Sequence, residues 1–203
     1  QAARELVVHG DGPITDALEA AAARALDKQG WGPARERDST WTGLAIDGAL
    51  LVMTDGRTAA QTAADLGARD VAVFDRPLVL PSSPGTALAF AVAPLASASW
   101  RSQAPAWLAA LGFAPLPLAD APGLVVARTV AMLINEAADA VQQGVCSQAG
   151  ADAAMKLGVN YPAGPFEWLA TWSARDVVAL LDALDHHYRG ERYRASPFLR
   201  QQA

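Results

Sequence analysis

The chain has 203 residues and a mass of 21.2 kDa, and its 52% hydrophobic and 18% charged residues predict a packed protein of one or two domains rather than a disordered chain. A single cysteine, Cys146, excludes an internal disulfide framework, and no apolar run has the length of a membrane span. The net charge of −5 with scattered arginines argues against nucleic acid as a partner.

The chain begins at Gln1, without an initiator methionine or the pattern of a signal peptide. We interpret it as a processed product or an excised piece of a longer protein. Because cysteine is so rare, we expect a reducing compartment, the cytoplasm.

The first half alternates short apolar runs, which predict strands, with segments of helical periodicity. A strand at Leu6–His9 leads through a glycine turn into a helix that begins at Pro13 and is predicted to end near Gly30. Further predicted strands cover residues 49–53, 71–74, 88–92 and 114–118, with helices at 58–66 and 100–111. Continuous apolar runs are typical of buried parallel strands, so we predict a parallel sheet covered by helices on both faces.

After Gly123 only helical patterns occur. Predicted helices run from 126 to about 143, from 147 to about 157, from 165 through 168 and from 173 to 184. We place a domain boundary near Pro122, which gives domains at 1–121 and 122–203.

The turn Gly10-Asp11-Gly12 lies where a dinucleotide-binding fold holds a pyrophosphate. The third glycine position of that motif is Thr15, and Arg35–Asp38 offers no convincing acidic residue at the end of a clear second strand. Two interpretations stay open, a tight strand-to-helix turn without a ligand and a dinucleotide site.

Three histidines are candidates for chemistry. His9 ends the first strand and either faces a ligand or serves as a hydrogen-bonded residue. His186 and His187 lie in the last turn of a predicted helix, where a positive charge favours the helix dipole. Because no histidines and carboxylates show metal-ligand spacing, we predict no metal site.

Cys146 has no neighbouring base in the sequence, so we expect an inert thiol rather than a nucleophile. Trp168 and Trp172, four positions apart on one helical face, either form a contact patch or belong to the core.

Five segments in order resemble the C-terminal helical domain of the L-3-hydroxyacyl-CoA dehydrogenases: PGLVVART (122–129), LINEA (133–137), DAAMKLG (152–158), YPAGPFE (161–167) and RYRASPFLR (192–200). The first half resembles a degenerate form of the Rossmann domain that precedes this domain in the family. The predicted fold is therefore an α/β Rossmann-like parallel sheet followed by an all-α helical domain.

The resemblance implies oxidation of a 3-hydroxyacyl-CoA by NAD, with a histidine as general base, a glutamate that orients it and an asparagine at the substrate. The family's Leu-His-Phe matches Leu88-Ala89-Phe90, so Ala89 stands at the position of the base. Residues 94–100 contain no glutamate, and the family's Asn-Arg is Ala127-Arg128. The resemblance thus implies that all three catalytic positions are lost.

This combination resembles the long dehydrogenases of phenylacetate degradation and fatty acid metabolism, in which an active module precedes a degenerate one. Our leading hypothesis is that the chain is the non-catalytic C-terminal half of such an enzyme. It would pack against the active half, which binds NAD, and would form a homodimer through its helical domain when isolated. This segment itself is expected to bind no cofactor.

Two other hypotheses remain. The chain is alternatively a self-sufficient NAD(P)-dependent oxidoreductase, with Gly10 and Gly12 at the pyrophosphate and His9 or Asp11 near the chemistry. A non-catalytic acyl-CoA-binding module would need a basic cluster, for which Arg128 is the single candidate. A packing or inter-domain ion-pair role is the stronger expectation for that arginine.

Overall fold

A computed structural model describes residues 5–26, 32–78 and 85–203 of the chain, so the predicted helix end at Gly30 lies outside the described residues. The chain divides into two compact units. The described residues up to Thr54 together with Thr58–Leu124 form the first, and Asp55–Arg57 with Val125–Ala203 form the second. Each unit contains its own hydrophobic core. Among the described residues, no helix combines the length and the apolar character needed to cross a membrane.

The described part of the first unit contains one seven-stranded sheet and three helices. In chain order its elements are β1 (Leu6–His9), α1 (Pro13–Leu26), β2 (Ala34–Glu36), β3 (Gly43–Ile46), β4 (Ala49–Met53), α2 (Ala59–Asp65), β5 (Val71–Phe74), β6 (Thr86–Val92), α3 (Ala98–Ala110) and β7 (Phe113–Pro117). The strand order in the sheet is β2-β1-β3-β4-β5-β6-β7.

The sheet is mixed, and the prediction of a parallel sheet is wrong for three of its pairings. The pairs β1–β2, β4–β5 and β6–β7 are parallel, whereas β1–β3, β3–β4 and β5–β6 are antiparallel. Between β3 and β4 the chain turns through Asp47 and Gly48 with φ of 49° and 85°, the left-handed geometry of a two-residue hairpin. An apolar run indicates that a strand is buried, but it does not indicate whether the neighbouring strand is parallel or antiparallel.

The strands β2 and β3 were not predicted from the sequence. β2 is a three-residue strand with Arg35 and Glu36, paired with β1 at the end of the sheet order, so it lacks an apolar pattern. β3 is four residues long and begins at Gly43, a residue that weakens a strand prediction. Leaving aside the end of α1, the other predicted strands and helices of this unit occur within two residues of their expected bounds.

The second unit consists of helices throughout its described elements. They are α4 (Val126–Gln142), α5 (Gln148–Val159), α6 (Pro165–Trp172), α7 (Ala174–Tyr188), a 3₁₀ turn (Glu191–Tyr193) and α8 (Pro197–Arg200). The predicted succession of an α/β unit and an all-helical unit is confirmed. Trp168 and Trp172 are only 5% and 4% exposed and belong to the helical core, so their interpretation as a contact patch is wrong.

Candidate functional site

The predicted strand, glycine turn and helix are present, and β2 completes a βαβ unit with β1 and α1. Gly10 and Gly12 have φ of 104° and 92°, which favours glycine at both positions. A Cβ atom on Gly10 would lie 2.9 Å from Thr42 Oγ1 and 3.2 Å from the Trp41 carbonyl oxygen, whereas the space beside Gly12 is open. Gly10 therefore allows the close approach of residues 41–42.

His9 lies at the carboxyl end of β1 and is held by residues that precede β3. Its ring stacks on Trp41 with centroids 4.1 Å apart, and its Nδ1 lies 3.3 Å from Ser39 Oγ. Burial lowers the pKa of His9, and the negative charge of Glu36 offsets part of that shift. The imidazole is therefore neutral at pH 7 and is engaged by protein groups where an open α/β fold places its ligand.

Asp11 places a carboxylate at the glycine turn, where it binds two arginines. Its Oδ1 accepts hydrogen bonds from Arg35 Nη2 at 2.9 Å and from Arg37 Nη1 at 3.1 Å. Arg35 also donates to Asp16 at 2.6 Å and to Glu19 at 2.8 Å, both on α1. Three carboxylates thus gather around one guanidinium at the start of α1, where a pyrophosphate would add further negative charge.

The two alanines assigned to lost catalytic positions lie in regular elements. Ala89 is half-buried in β6, and its carbonyl oxygen accepts a hydrogen bond from the Asp75 N–H at 2.8 Å. Ala127 is fully buried in α4. Neither methyl group can accept or donate a proton, so neither position supplies acid–base chemistry.

The other sequence candidates offer no assembled catalytic group. Within the described ranges no cluster of three or more histidine, cysteine or acidic residues is positioned to hold a metal ion. His186 and His187 are exposed in the last turn of α7. Cys146 is a free, half-buried thiol that packs against the core of the second unit.

The segment LINEA on α4 holds the segment RYRASPFLR through two hydrogen bonds of Asn135. Asn135 Nδ2 donates to the Arg194 carbonyl at 3.1 Å, and Asn135 Oδ1 accepts from the Ser196 N–H at 2.7 Å. Two helical turns further along α4, Gln142 Oε1 accepts a hydrogen bond from the Phe198 N–H at 2.9 Å. The buried amide of Asn135 therefore fixes the C-terminal segment rather than facing a ligand.

The segments DAAMKLG and YPAGPFE are joined in the same way. Asp152 Oδ1 accepts from the Phe166 N–H at 2.8 Å, and Glu167 accepts from the Gly164 N–H at 2.9 Å and from Lys156. The hydrogen bond from Lys156, followed by that from Gly164, lowers the pKa of Glu167. A Cβ on Gly164 would lie 2.3–2.4 Å from Asp152 atoms, so only glycine fits there.

A surface pocket of about 430 Å³ lies in the second unit between α4 and the 3₁₀ turn. Arg128 and Arg192 both line it. The sequence did not reveal this pair, because the two arginines belong to different motifs and are brought together only by the fold. Arg128 Nη1 lies 3.4 Å from Tyr188 Oη, and no carboxylate in the described part of the chain pairs with it.

Two family models match this chain in sequence. The reduced Rossmann-fold domain of 3-hydroxybutyryl-CoA dehydrogenase matches residues 51–122, and the C-terminal domain of 3-hydroxyacyl-CoA dehydrogenase matches residues 123–203. A 3-hydroxyadipyl-CoA dehydrogenase of Escherichia coli K12 is 44% identical over 78% of this chain and 32% of its own length. A probable 3-hydroxybutyryl-CoA dehydrogenase of Deinococcus radiodurans is 38% identical over 45% of this chain and 33% of its own length.

The chain is also similar to solved structures of 3-hydroxybutyryl-CoA dehydrogenases. A crystal structure of 3-hydroxybutyryl-CoA dehydrogenase from Escherichia coli K12 has a TM-score of 0.75 and 40% identity, over 82% of this chain and 34% of that one. The (S)-3-hydroxybutyryl-CoA dehydrogenase of Ralstonia eutropha, at 22% identity and a TM-score of 0.63 over 76% of this chain and 54% of its own, shows the shared fold. The chain spans about a third of the length of the curated relatives it matches.

Proposed function

Because this chain belongs to the 3-hydroxyacyl-CoA dehydrogenase family, we propose that it is the non-catalytic C-terminal half of an NAD-dependent enzyme that converts 3-hydroxyacyl-CoA to 3-oxoacyl-CoA. One observation carries the proposal. Hydrogen bonds of Asn135 and Asp152 join the family segments of the helical unit, whereas Ala89 and Ala127 provide no proton-transferring group. The name of the 44% identical relative favours a dicarboxylic acyl-CoA, as in phenylacetate degradation, as the substrate of the whole enzyme.

The proposal includes the absence of an NAD site in this segment. The residues of the glycine turn do not fit a pyrophosphate, because the Asp11 carboxylate lies beside the turn and Arg35 is already bound to three acidic groups. Trp41 covers the ring of His9 at the end of β1. NAD chemistry therefore belongs to the active half.

A patch at the end of α5 is the proposed contact surface for the active half. It consists of Leu157, Val159 and Tyr161, which are 87%, 57% and 36% exposed. Among the described residues of α5, only Ala151 is buried in this unit, so the helix leaves most of its surface without cover. About two thirds of the length of the relatives lies outside this chain, which supplies a partner of sufficient size. A covalent link would favour the contact by raising its effective concentration.

The first experiment measures oxidation of NADH with acetoacetyl-CoA by this chain, together with a fluorescence titration of NADH on the same sample. We expect neither turnover nor binding. A full-length family enzyme serves as the positive control. Turnover well above background would overturn the non-catalytic assignment.

The second experiment measures association by sedimentation velocity from about 1 to 100 μM, the range in which a micromolar dimer would dissociate. With the active half absent, the α5 patch should bury itself against a second copy. Leu157→Glu should then give monomers, whereas Leu95→Glu, a change at an 80% exposed leucine of the first unit, should leave the dimer unchanged. Monomers of the unsubstituted chain at all concentrations would contradict the proposed surface.

A self-sufficient oxidoreductase is the second candidate function. The βαβ unit favours it, because β2 runs parallel to β1 and ends at Glu36, the position at which a dinucleotide fold places an acidic residue for the ribose. NADH binding that is weakened at least tenfold by Glu36→Ala would establish this candidate in place of the first.

A further inference from the structure

The pocket between α4 and the 3₁₀ turn is an open depression on the surface of the second unit. Its volume of about 430 Å³ lies within the range of ligand pockets. Arg128, Met132 and Glu136 follow one another at four-residue spacing on α4 and so share one face of that helix. Arg192 lines the same pocket from a different element, the 3₁₀ turn. The pocket therefore depends on the tertiary structure and not on one element.

Some arginines of the chain are bound to carboxylates, whereas others, such as Arg69 and Arg101, donate only to backbone carbonyl groups. Arg35, Arg194 and Arg200 each lie within 4 Å of at least one carboxylate. No such pair is formed by Arg128 or Arg192 within the ranges that the structure describes. In a protein with a net charge of −5, two arginines without acidic partners at one cavity provide donors for an anion.

The remaining walls limit what kind of anion fits. Met132 and Leu133 are half-buried and provide an apolar surface, and Tyr193 is almost fully buried beside them. Glu136 is exposed at the pocket and repels an extended polyanion, because its charge lies on the same side of α4 as Arg128. A ligand with a single compact negative charge next to an apolar group would contact the apolar wall and would avoid strong repulsion by Glu136.

We infer that this pocket binds a small molecule that carries one compact oxyanion, a carboxylate or a phosphate monoester, on a short apolar stem. Arg128 and Arg192 bind the oxyanion, and Met132 with Leu133 contacts the stem. Tyr188 restrains the Arg128 guanidinium by its contact at 3.4 Å. The site lies wholly within the second unit and goes beyond the proposed function, since it requires neither NAD nor the active half.

The test is calorimetric titration of the full chain with hexanoate, hexyl phosphate and the neutral analogue hexanol. Both anions should bind and hexanol should not, and the tighter anion identifies the group that the site prefers. Arg128→Gln and Arg192→Gln should each weaken anion binding at least fivefold. Arg175→Gln, which removes an exposed arginine of α7 away from the pocket, should leave the affinity unchanged.

Circular dichroism and thermal unfolding of each variant show whether it folds as the parent chain does. Even a weak specific site would be detected at ligand concentrations up to about 10 mM. If neither anion binds in that range, the inference is overturned. Equal weakening by Arg175→Gln, or equal binding of hexanol, would overturn it as well.

Discussion

The two units of this protein differ in what their polar side chains bind. In the helical unit, Asn135 joins the motif of α4 to the C-terminal segment, and Asp152 joins α5 to α6. In the sheet unit, the glycine turn exists but its surroundings are occupied by Trp41 and Asp11. Asn135 and Asp152 hold helical segments together, whereas His9 and Asp11 at the glycine turn contact Trp41 and arginine side chains.

The largest expected effect concerns the close contact between Gly164 and Asp152 in the helical unit. Gly164→Ala should lower the free energy of unfolding of the helical unit by about 3 kcal/mol, because the new Cβ collides with the Asp152 carboxylate that binds the Phe166 N–H. Backbone strain plays no part, since φ of Gly164 is −84°. Urea unfolding followed by circular dichroism measures the change.

Gly158→Ala is the matched control in the same unit. Gly158 lies in α5 with open space beside it, so alanine should stabilise the helix by about 0.5–1 kcal/mol. If both alanine variants shifted stability in the same direction, the contact between Asp152 and Gly164 would not be what positions α6.

The second prediction concerns the buried amide of α4. Asn135→Ala should cost about 2 kcal/mol, because the Ser196 N–H and the Arg194 carbonyl lose their partner in the interior. Hydrogen exchange of residues 194–199 should increase at the same time. Gln143→Ala, at the exposed end of α4, should change neither quantity, and unaltered exchange in the Asn135 variant would show that other contacts hold the segment.

The third prediction tests whether His9 is a structural residue of the sheet unit. Since burial lowers its folded-state pKa below the ordinary value of about 6.5, protonation favours the unfolded state. The contribution is present above pH 6.5 and is lost as the pH falls through that value toward the folded pKa. We expect a loss below about 1 kcal/mol, since the ring is only partly buried.

Urea unfolding of the sheet unit at about pH 7.5 and 5.5 measures this loss. His9→Gln should remove it, whereas His186→Gln should retain it. Equal pH dependence of the parent chain and His9→Gln would contradict the structural role of the His9–Trp41 stack.

The smallest effect concerns the ion pair between Lys156 and Glu167. Lys156→Gln should destabilise the helical unit slightly at low salt and not at about 1 M salt, because exposed pairs are screened. The lowered pKa of Glu167 adds stability above the ordinary pKa of glutamate, and this is lost as the pH falls through the folded value. Arg175→Gln is the control, and a difference that persists at high salt would contradict an electrostatic origin.

Local sequence signals predicted most individual elements but not the sheet topology. The predicted helix starts at residues 58 and 147 agree with the structure, because the Thr58 and Ser147 hydroxyls each accept a backbone N–H of their own helix. Ser97, which caps α3, was not recognised, and that helix was predicted to begin at residue 100. The antiparallel pairing of β1 with β3 was not predictable, because strand direction depends on which strands meet in the sheet. The polar strand β2 gave no apolar signal at all.

For the candidate sites, the sequence determined which chemical groups are available, and only the tertiary structure decided which of them meet. The sequence alone established that Ala89 and Ala127 have no proton-transferring groups and that five family segments occur in order. The fold decided that Trp41 stacks on His9 and that Arg128 lies at the same pocket as Arg192. The physical reason is that residue identity fixes donors, acceptors and charge locally, whereas contacts between distant segments arise from burial of a shared core.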